Sequence, residues 1–566
     1  MRVSLKTASD PETETVVPNE RDDGASQRRS SGAKRARTGA LEPLGSRLIF
    51  FGLAALLAFA PMLRGGYAPS ATLVLQWLAL GLLVLTVWQP RPPVLRGTEL
   101  AFLGLLFILP LLYLFPLPTG LAQWLPARNL YQHTAALLDD EGGRRFAQRL
   151  AIAPLATETS WLMLILPIGV YVATRALSET LQTRLVYWFF AVVLAQVLIA
   201  LFQFATEGGM SYAIADLLAR SGASGTYVNR NHLAGMIEMA LPLSLAMFLF
   251  DFGGQYQKSK RREGFGDTLV KLLNSSNRPS WFFVLLALLF IIGIIVTRSR
   301  TGIMMGMVGI LLTTILFSRR VGGRGTFGLM GQLITIGIGV AIFIGLAPVL
   351  DRFSVAEMDA DARWPIAVAT FDAAGRLLPF GSGPGTFSDV FVLYQPIELG
   401  RWFVNYAHND YLQTLFEMGL VGLVLMVMFL VLYMAQWPRL VTRQAWSRYR
   451  SLQIGAGIAI LLVLLHSLTD NNLRNPANMA YFAMAAALFF SPPGVPSLSE
   501  RPRKRARRTR TLAQAVPPPH PDQVATGRFE PSPVDQEPGD RDQLDQEESS
   551  ASEEQRLRRP WNPFMD

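Results

Sequence analysis

Long apolar runs separated by short polar ones dominate the middle of the chain. They fall at roughly 46–64, 70–89, 99–117, 160–177, 185–206, 231–251, 280–297, 301–318, 327–349, 411–436, 452–468 and 477–491. Each approaches the ~20 residues that a helix needs to cross a bilayer. The pattern predicts an all-α, polytopic membrane domain over 46–491 with twelve transmembrane helices, the last of them short. No internal repeat of fixed period is visible. Two polar stretches between runs are long, at 118–159 and 350–410, and on an otherwise economical bundle such lengths point to function. Residues 1–45 lack apolar periodicity and read as a disordered tail. Residues 492–566 read as a second tail, which opens with RPRKRARRTR and becomes Pro-rich and acidic. No cleavable signal is expected near Met1.

Composition strengthens this reading. Half of the 566 residues are hydrophobic and only 17% are charged, with mean hydropathy +0.28, against about 25% charged in ordinary soluble domains. The net charge of +10 raises the question of nucleic acid. The excess arginine falls instead on alternate connections between spans, as the positive-inside rule expects of cytoplasmic loops. That bias predicts both termini in the cytoplasm and both long polar stretches outside. The basic run at 501–510 is read as touching anionic lipid, with no nucleic-acid partner. The absence of cysteine excludes disulfides, thiolate metal sites and thiol catalysis.

The candidate chemistry lies among polar residues expected at the outer face. Thr297-Arg298-Ser299-Arg300-Thr301-Gly302 places two arginines in a short outer turn. Arg298 is read equally as a headgroup anchor, whereas Arg300, followed by small residues, suits an anion such as phosphate. In Thr226-Tyr227-Val228-Asn229-Arg230-Asn231-His232, Asn231 is the expected helix cap. Arg230 and His232 then stand at the mouth of the sixth span, where a helix N-terminus favours anions. Glu238, deeper in that helix, is expected to pair with an arginine. Asp359 and Asp361 are a weak metal motif, and no metal or cofactor site is predicted. The glycines of Pro379-Phe380-Gly381-Ser382-Gly383-Pro384-Gly385 read as a tight turn. His408, at a loop–helix junction, is the best candidate base because imidazole titrates near neutrality. Glu417 is read as an internal charge partner, and His466 with Asp470, four residues apart, as a mainly structural pair that shares a helix face if the eleventh helix extends that far.

The segments TYVNRNHLAGMIEMALPL, TRSRTG, RW, PFGSGPGTF, AHNDYLQTLFEMGLVG and HSLTDNNLRNPAN, taken in order, resemble the O-antigen ligase and Wzy-type polymerase superfamily. The resemblance runs from about residue 150 to 490. It implies a GT-C-like helical bundle with a large periplasmic loop in a bacterial inner membrane. The implied activity is transfer of a glycan from undecaprenyl pyrophosphate to an acceptor, either a glycan or lipid A-core, at the periplasmic face. By resemblance, Arg300 and Arg363 match arginines that hold the donor pyrophosphate, and His408 matches the histidine that activates the acceptor hydroxyl. Arg230 joins the donor site, and Arg298, His232, Asn409 and Tyr411 are expected around the substrates. The expected reaction is inverting and metal-independent. Ligase, polymerase and protein-hydroxyl transferase share these motifs. A flippase or transporter is the competing class, but transporters gather charges at the midplane and use repeated halves, and a non-catalytic scaffold is a third reading.

Overall fold

A computed structural model describes residues 43–90, 92–118, 121, 124–128, 149–206, 223–259, 278–321, 363–400, 403–442 and 446–493. Thirteen principal helices carry them: α1 Leu44–Phe59, α2 Pro69–Val87, α3 Gly97–Leu112, α4 Pro154–Met163, α5 Ile165–Ala176, α6 Glu179–Ala205, α7 Arg230–Ser259, α8 Arg278–Val296, α9 Arg300–Val321, α10 Arg363–Leu377, α11 Asp410–Leu440, α12 Arg448–His466 and α13 Pro476–Phe490. No β-strand occurs among the described residues, only the isolated bridges Arg64–Tyr227 and Pro116–Arg149. Their starts follow local chemistry. Ser178, Asn409, Ser447 and Asn475 each accept a backbone N–H at a helix N-terminus, satisfying donors that the helix leaves open. Pro69 and Pro476 occupy first turns, where a missing N–H costs nothing.

Seven helical segments are long and apolar enough to cross a membrane: Pro69–Val87, Pro154–Ala176, Glu179–Ala205, Arg230–Asp251, Arg300–Phe317, Asp410–Leu440 and Arg448–His466. Four shorter apolar segments correspond to the runs at 46–64, 99–117, 280–297 and 477–491. The run at 327–349, both tails and the Asp359/Asp361 motif lie outside the described residues. The fourth span starts at Pro154 rather than 160, as α4 and α5 in succession. The 350–410 stretch is not a plain loop either, since it contains α10 and the one-turn helix Phe387–Phe391.

Helix α7 is the centre of the bundle. It packs against α8, α9 and α12, and nearly all of its span is buried inside the protein. A smaller core lies beside it, where Ile366, Leu377, Phe387, Phe391 and Phe416 join α10 to the start of α11. Phe387 stacks on Phe391 at 4.7 Å and meets Phe416 edge-on at 5.2 Å.

The glycine-rich turn docks into a break in α11. Gly419 adopts φ 54°, a left-handed conformation that glycine adopts without steric cost. The carbonyls of Phe416 and Glu417 accept the N–H groups of Ser382 and Gly383 at 3.0 and 2.7 Å, and Leu420 N–H donates to Pro379 O at 2.8 Å. A Cβ on Gly419 would stand 2.2 Å from Pro379 O, and one on Gly381 2.4 Å from the Glu417 carbonyl carbon. The tight turn expected of this motif is present, and its hydrogen bonds replace those that the broken helix loses.

Candidate active site

Helix α12 ends at His466, and the chain turns sharply through Ser467–Asp470. The His466 carbonyl accepts the N–H groups of Thr469 and Asp470 at 2.9 and 3.1 Å. Four helices begin against this turn. Asn231 of α7 donates its side-chain amide to Asp470 Oδ2. Thr301 of α9 shares a hydroxyl hydrogen bond with Thr469 at 2.9 Å. Arg363, the first residue of α10, donates Nη1 to Thr469 O at 3.0 Å and pairs Nη2 with Asp470 Oδ2 at 3.4 Å. Asp410 N–H at the start of α11 donates to Ser467 O at 2.9 Å.

His408 stands just before α11, with its Nδ1 3.2 Å from Asp470 Oδ1. The Asp470 side chain is fully buried, whereas those of His408 and Arg363 are 31% and 32% exposed. A concealed carboxylate therefore holds an imidazole and a guanidinium side by side, with both still reaching outward. His408 has φ 50°, a conformation costly for a non-glycine residue and concentrated at functional sites. Burial alone would raise the Asp470 pKa. The His408 hydrogen bond and the charges of His232, Arg363 and His408 outweigh that, holding it well below the usual carboxylate range. Asp470 thus remains ionised, able to orient the His408 ring through Nδ1.

The remaining expected residues divide. Arg300 begins α9, with Ser299 Oγ accepting Gly302 N–H at 3.1 Å in the same first turn. Arg298 has φ 54° and its guanidinium lies 5.1 Å over the Phe204 ring. Arg230 opens α7, but the cap is Asn229, whose Oδ1 accepts Asn231 N–H at 2.9 Å, not Asn231 as expected. His232 is buried behind Tyr67, with ring centroids 6.0 Å apart, and so lies below the mouth where it was placed. Asn409 caps α11 and also donates to Leu468 O at 2.9 Å. The Tyr411 hydroxyl donates to Leu464 O at 2.7 Å. These two contacts tie α11 to α12.

Two further sequence readings need correction. His466 and Asp470 do not share a helix face, because α12 stops at His466 and Asp470 is the hub of the turn beyond it. Glu238 pairs with His466 at 3.0 Å rather than with an arginine. Tyr67 and Arg474, which the motifs did not single out, also belong to this end of the bundle. Glu417 does hold an internal charge partner: Arg474 Nη1 approaches it at 3.0 Å, and Arg474 Nε lies 3.5 Å from Asp410. Burial opposes the Arg474 charge, but Glu417 and Asp410 outweigh it and raise its pKa above the ordinary arginine value.

Beside this network opens a cavity of about 1310 Å³. Tyr67, Asn405, Tyr406, Asp410, Glu417 and Arg474 form its polar end, and apolar side chains of α2, α3, α11 and α13 line the rest. Tyr67 joins the cavity to the turn, its ring 6.3 Å from that of Tyr406 and its hydroxyl 3.5 Å from the Asn471 amide. No group of three or more residues among those described could hold a metal ion.

The fold and site define a helical integral membrane protein that gathers cationic side chains and an oriented imidazole at one end of its bundle. Residues 285–427 match the family model described as O-antigen ligase, and over that segment the chain is similar to the O-antigen ligase/Wzy-type family. That family implies a glycosyltransferase of the ligase or polymerase type in a bacterial membrane, acting on a lipid-linked glycan and an acceptor. A search among curated proteins gives no match. The matched segment contains Arg298, Arg300, Arg363, His408, Asn409 and Tyr411, whereas Arg230, His232 and Asp470 lie outside it.

Proposed function

We propose that the protein transfers an undecaprenyl-pyrophosphate-linked glycan onto an acceptor sugar hydroxyl at the periplasmic face of the inner membrane, both termini being cytoplasmic. The observation that carries this reading is the double hold of Asp470 on His408 Nδ1 and the Arg363 guanidinium. Held through Nδ1, His408 presents Nε2 to the acceptor and takes its hydroxyl proton. The freed oxygen attacks the anomeric carbon while the carbon–oxygen bond to the pyrophosphate breaks. The electron pair leaves with the pyrophosphate, and the sugar inverts. Arg363 and Arg300, with Arg230 beside them, stabilise the charge on that leaving group. Preorganised donors of this kind are typically worth about 10²–10³ in rate each, and a positioned base about 10²–10⁴. The apolar cavity gives the hydrocarbon part of a lipid-linked substrate a place beside the reacting groups.

The test is His408→Ala in the native host, with membrane protein level matched to wild type. Lipid-linked glycans and surface polysaccharide are then displayed as size ladders. The expected result is accumulation of lipid-linked material with loss of surface attachment or chain length. Full-length chains left on the carrier identify a ligase, and single repeats identify a polymerase. Unchanged pools would remove His408 from the reaction and with it this reading.

A further inference from the structure

Glu238 and His466 form a buried hydrogen-bonded pair that the transfer chemistry does not use. His466 Nδ1 lies 3.0 Å from both carboxylate oxygens of Glu238, and both side chains are fully buried. Glu238 stands eight residues into α7, ~12 Å below Arg230 at ~1.5 Å per residue. Ionisable groups at such depth are costly, and well-packed apolar residues in their place are often neutral or stabilising. A bundle selected for stability alone would carry leucines here, so the pair calls for a function.

Its location supplies one. The His466 backbone carbonyl accepts from Thr469 N–H, Asp470 N–H and Thr469 Oγ1 at 2.9, 3.1 and 3.2 Å. It is thus the anchor on which the Asp470 turn is folded. Glu238 fixes the ring of that residue from α7, the same helix whose Asn231 reaches Asp470. Gly235, one turn above Glu238, lets the turn abut the α7 backbone, since a Cβ there would lie 2.2 Å from Asn472 Oδ1. Rotation or sliding between α7 and α12 would displace Asp470, and with it both groups that Asp470 holds.

We infer that Glu238 and His466 are positioning residues. The buried pair fixes the register of α12 against α7, and through the Asp470 turn it sets the placement of His408 and Arg363. This inference rests on the transfer reading above.

The discriminating variant is Glu238→Leu with His466→Leu, which removes both ionisable groups while filling the space. The readout is the initial rate at which native membranes consume the host's own lipid-linked glycan, beside the thermal midpoint of the purified protein. The expected result is a midpoint equal to or above wild type with a rate lowered about 10–100-fold, the usual scale for residues that orient functional groups. Glu238→Gln and His466→Asn each keep a hydrogen-bonding atom in place and should stay near the wild-type rate. A double leucine protein at the wild-type rate would overturn the inference. Should that protein fail to accumulate, Glu238→Met against Glu238→Gln gives the same contrast, and equal rates for the two would overturn it. His408→Ala runs in parallel. Inactive His408→Ala beside a fully active double leucine variant defeats this inference alone, whereas active His408→Ala defeats the transfer reading beneath it.

Discussion

At each end of the bundle a buried carboxylate holds two nitrogen-bearing side chains, and the two arrangements differ in what those side chains do next. Glu99 meets Arg175 at 3.2 Å and Arg96 at 3.4 Å, and accepts the Tyr171 hydroxyl at 3.1 Å. The same guanidiniums continue to Ser491 Oγ, Gln436 Oε1 and the Phe490 carbonyl. The donors are absorbed by α11 and the end of α13, so the group is a clasp between α3, α5, α11 and α13. Asp470, at the start of α13 rather than its end, holds an imidazole and an arginine that are both about a third exposed, whereas around Glu99 only Arg96 is, Arg175 being 4% exposed. The clasp turns both guanidiniums onto further protein acceptors, whereas the Asp470 group includes an imidazole, which can take up a proton.

Substitutions should separate these roles. The largest effect is expected from Asp470→Asn, which keeps the shape but loses the charge that orients His408 and Arg363. Transfer should fall by about 10²–10⁴, the scale of losing a positioned base, when measured per folded molecule in native membranes. A rate within a few-fold of wild type would make Asp470 a clasp like Glu99. At the other end, Glu99→Ala leaves Arg175, only 4% exposed in its side chain, without its carboxylate. Breaking a buried pair in this way costs about 3 kcal/mol. The expected outcome is a lowered thermal midpoint and less folded protein, with the rate per folded molecule retained; loss of rate at full stability would contradict it.

The smallest effect concerns pH. Because the Asp470 pKa is depressed on folding, the stability it contributes is fully present above the unfolded carboxylate value of about 3.9. It is lost only as pH falls through the lower folded value. The difference in thermal midpoint between wild type and Asp470→Asn should therefore stay constant from pH 8 to pH 5 and shrink only under stronger acid. A difference that changes near neutrality would assign the contribution to another group.

Much of the architecture was legible in the apolar runs, because a membrane helix needs little beyond length and hydropathy. The described helices fall on eleven of the twelve runs, and the glycine-rich turn lies where its composition placed it. Asp470 was underread for a physical reason. Its partners His408 and Arg363 lie 62 and 107 residues away in the chain, and the i,i+4 spacing to His466 suggested a helix that in fact ends first. Glu238 was given the wrong partner because an arginine is the common companion of a buried carboxylate, and spacing along α7 says nothing about what α12 presents. His232 was placed at the surface on the assumption that a residue near a helix mouth faces the opening, but Tyr67 covers it.

The helices that meet at the Asp470 turn carry a further consequence. Arg230, Arg300 and Arg363 each open a helix, and no acidic residue stands in the first turn of any of the three. That end of a helix already carries about half a positive charge, so a cation is disfavoured there by roughly 0.3–1 kcal/mol. An anion that reaches this face therefore meets the positive ends of three helices as well as the arginine charges. Removing any of these arginines should cost activity, and removing Arg363 should lower stability as well, because it takes a partner from the buried Asp470 carboxylate. Inorganic pyrophosphate should raise the thermal midpoint of the wild-type protein more than that of any such variant.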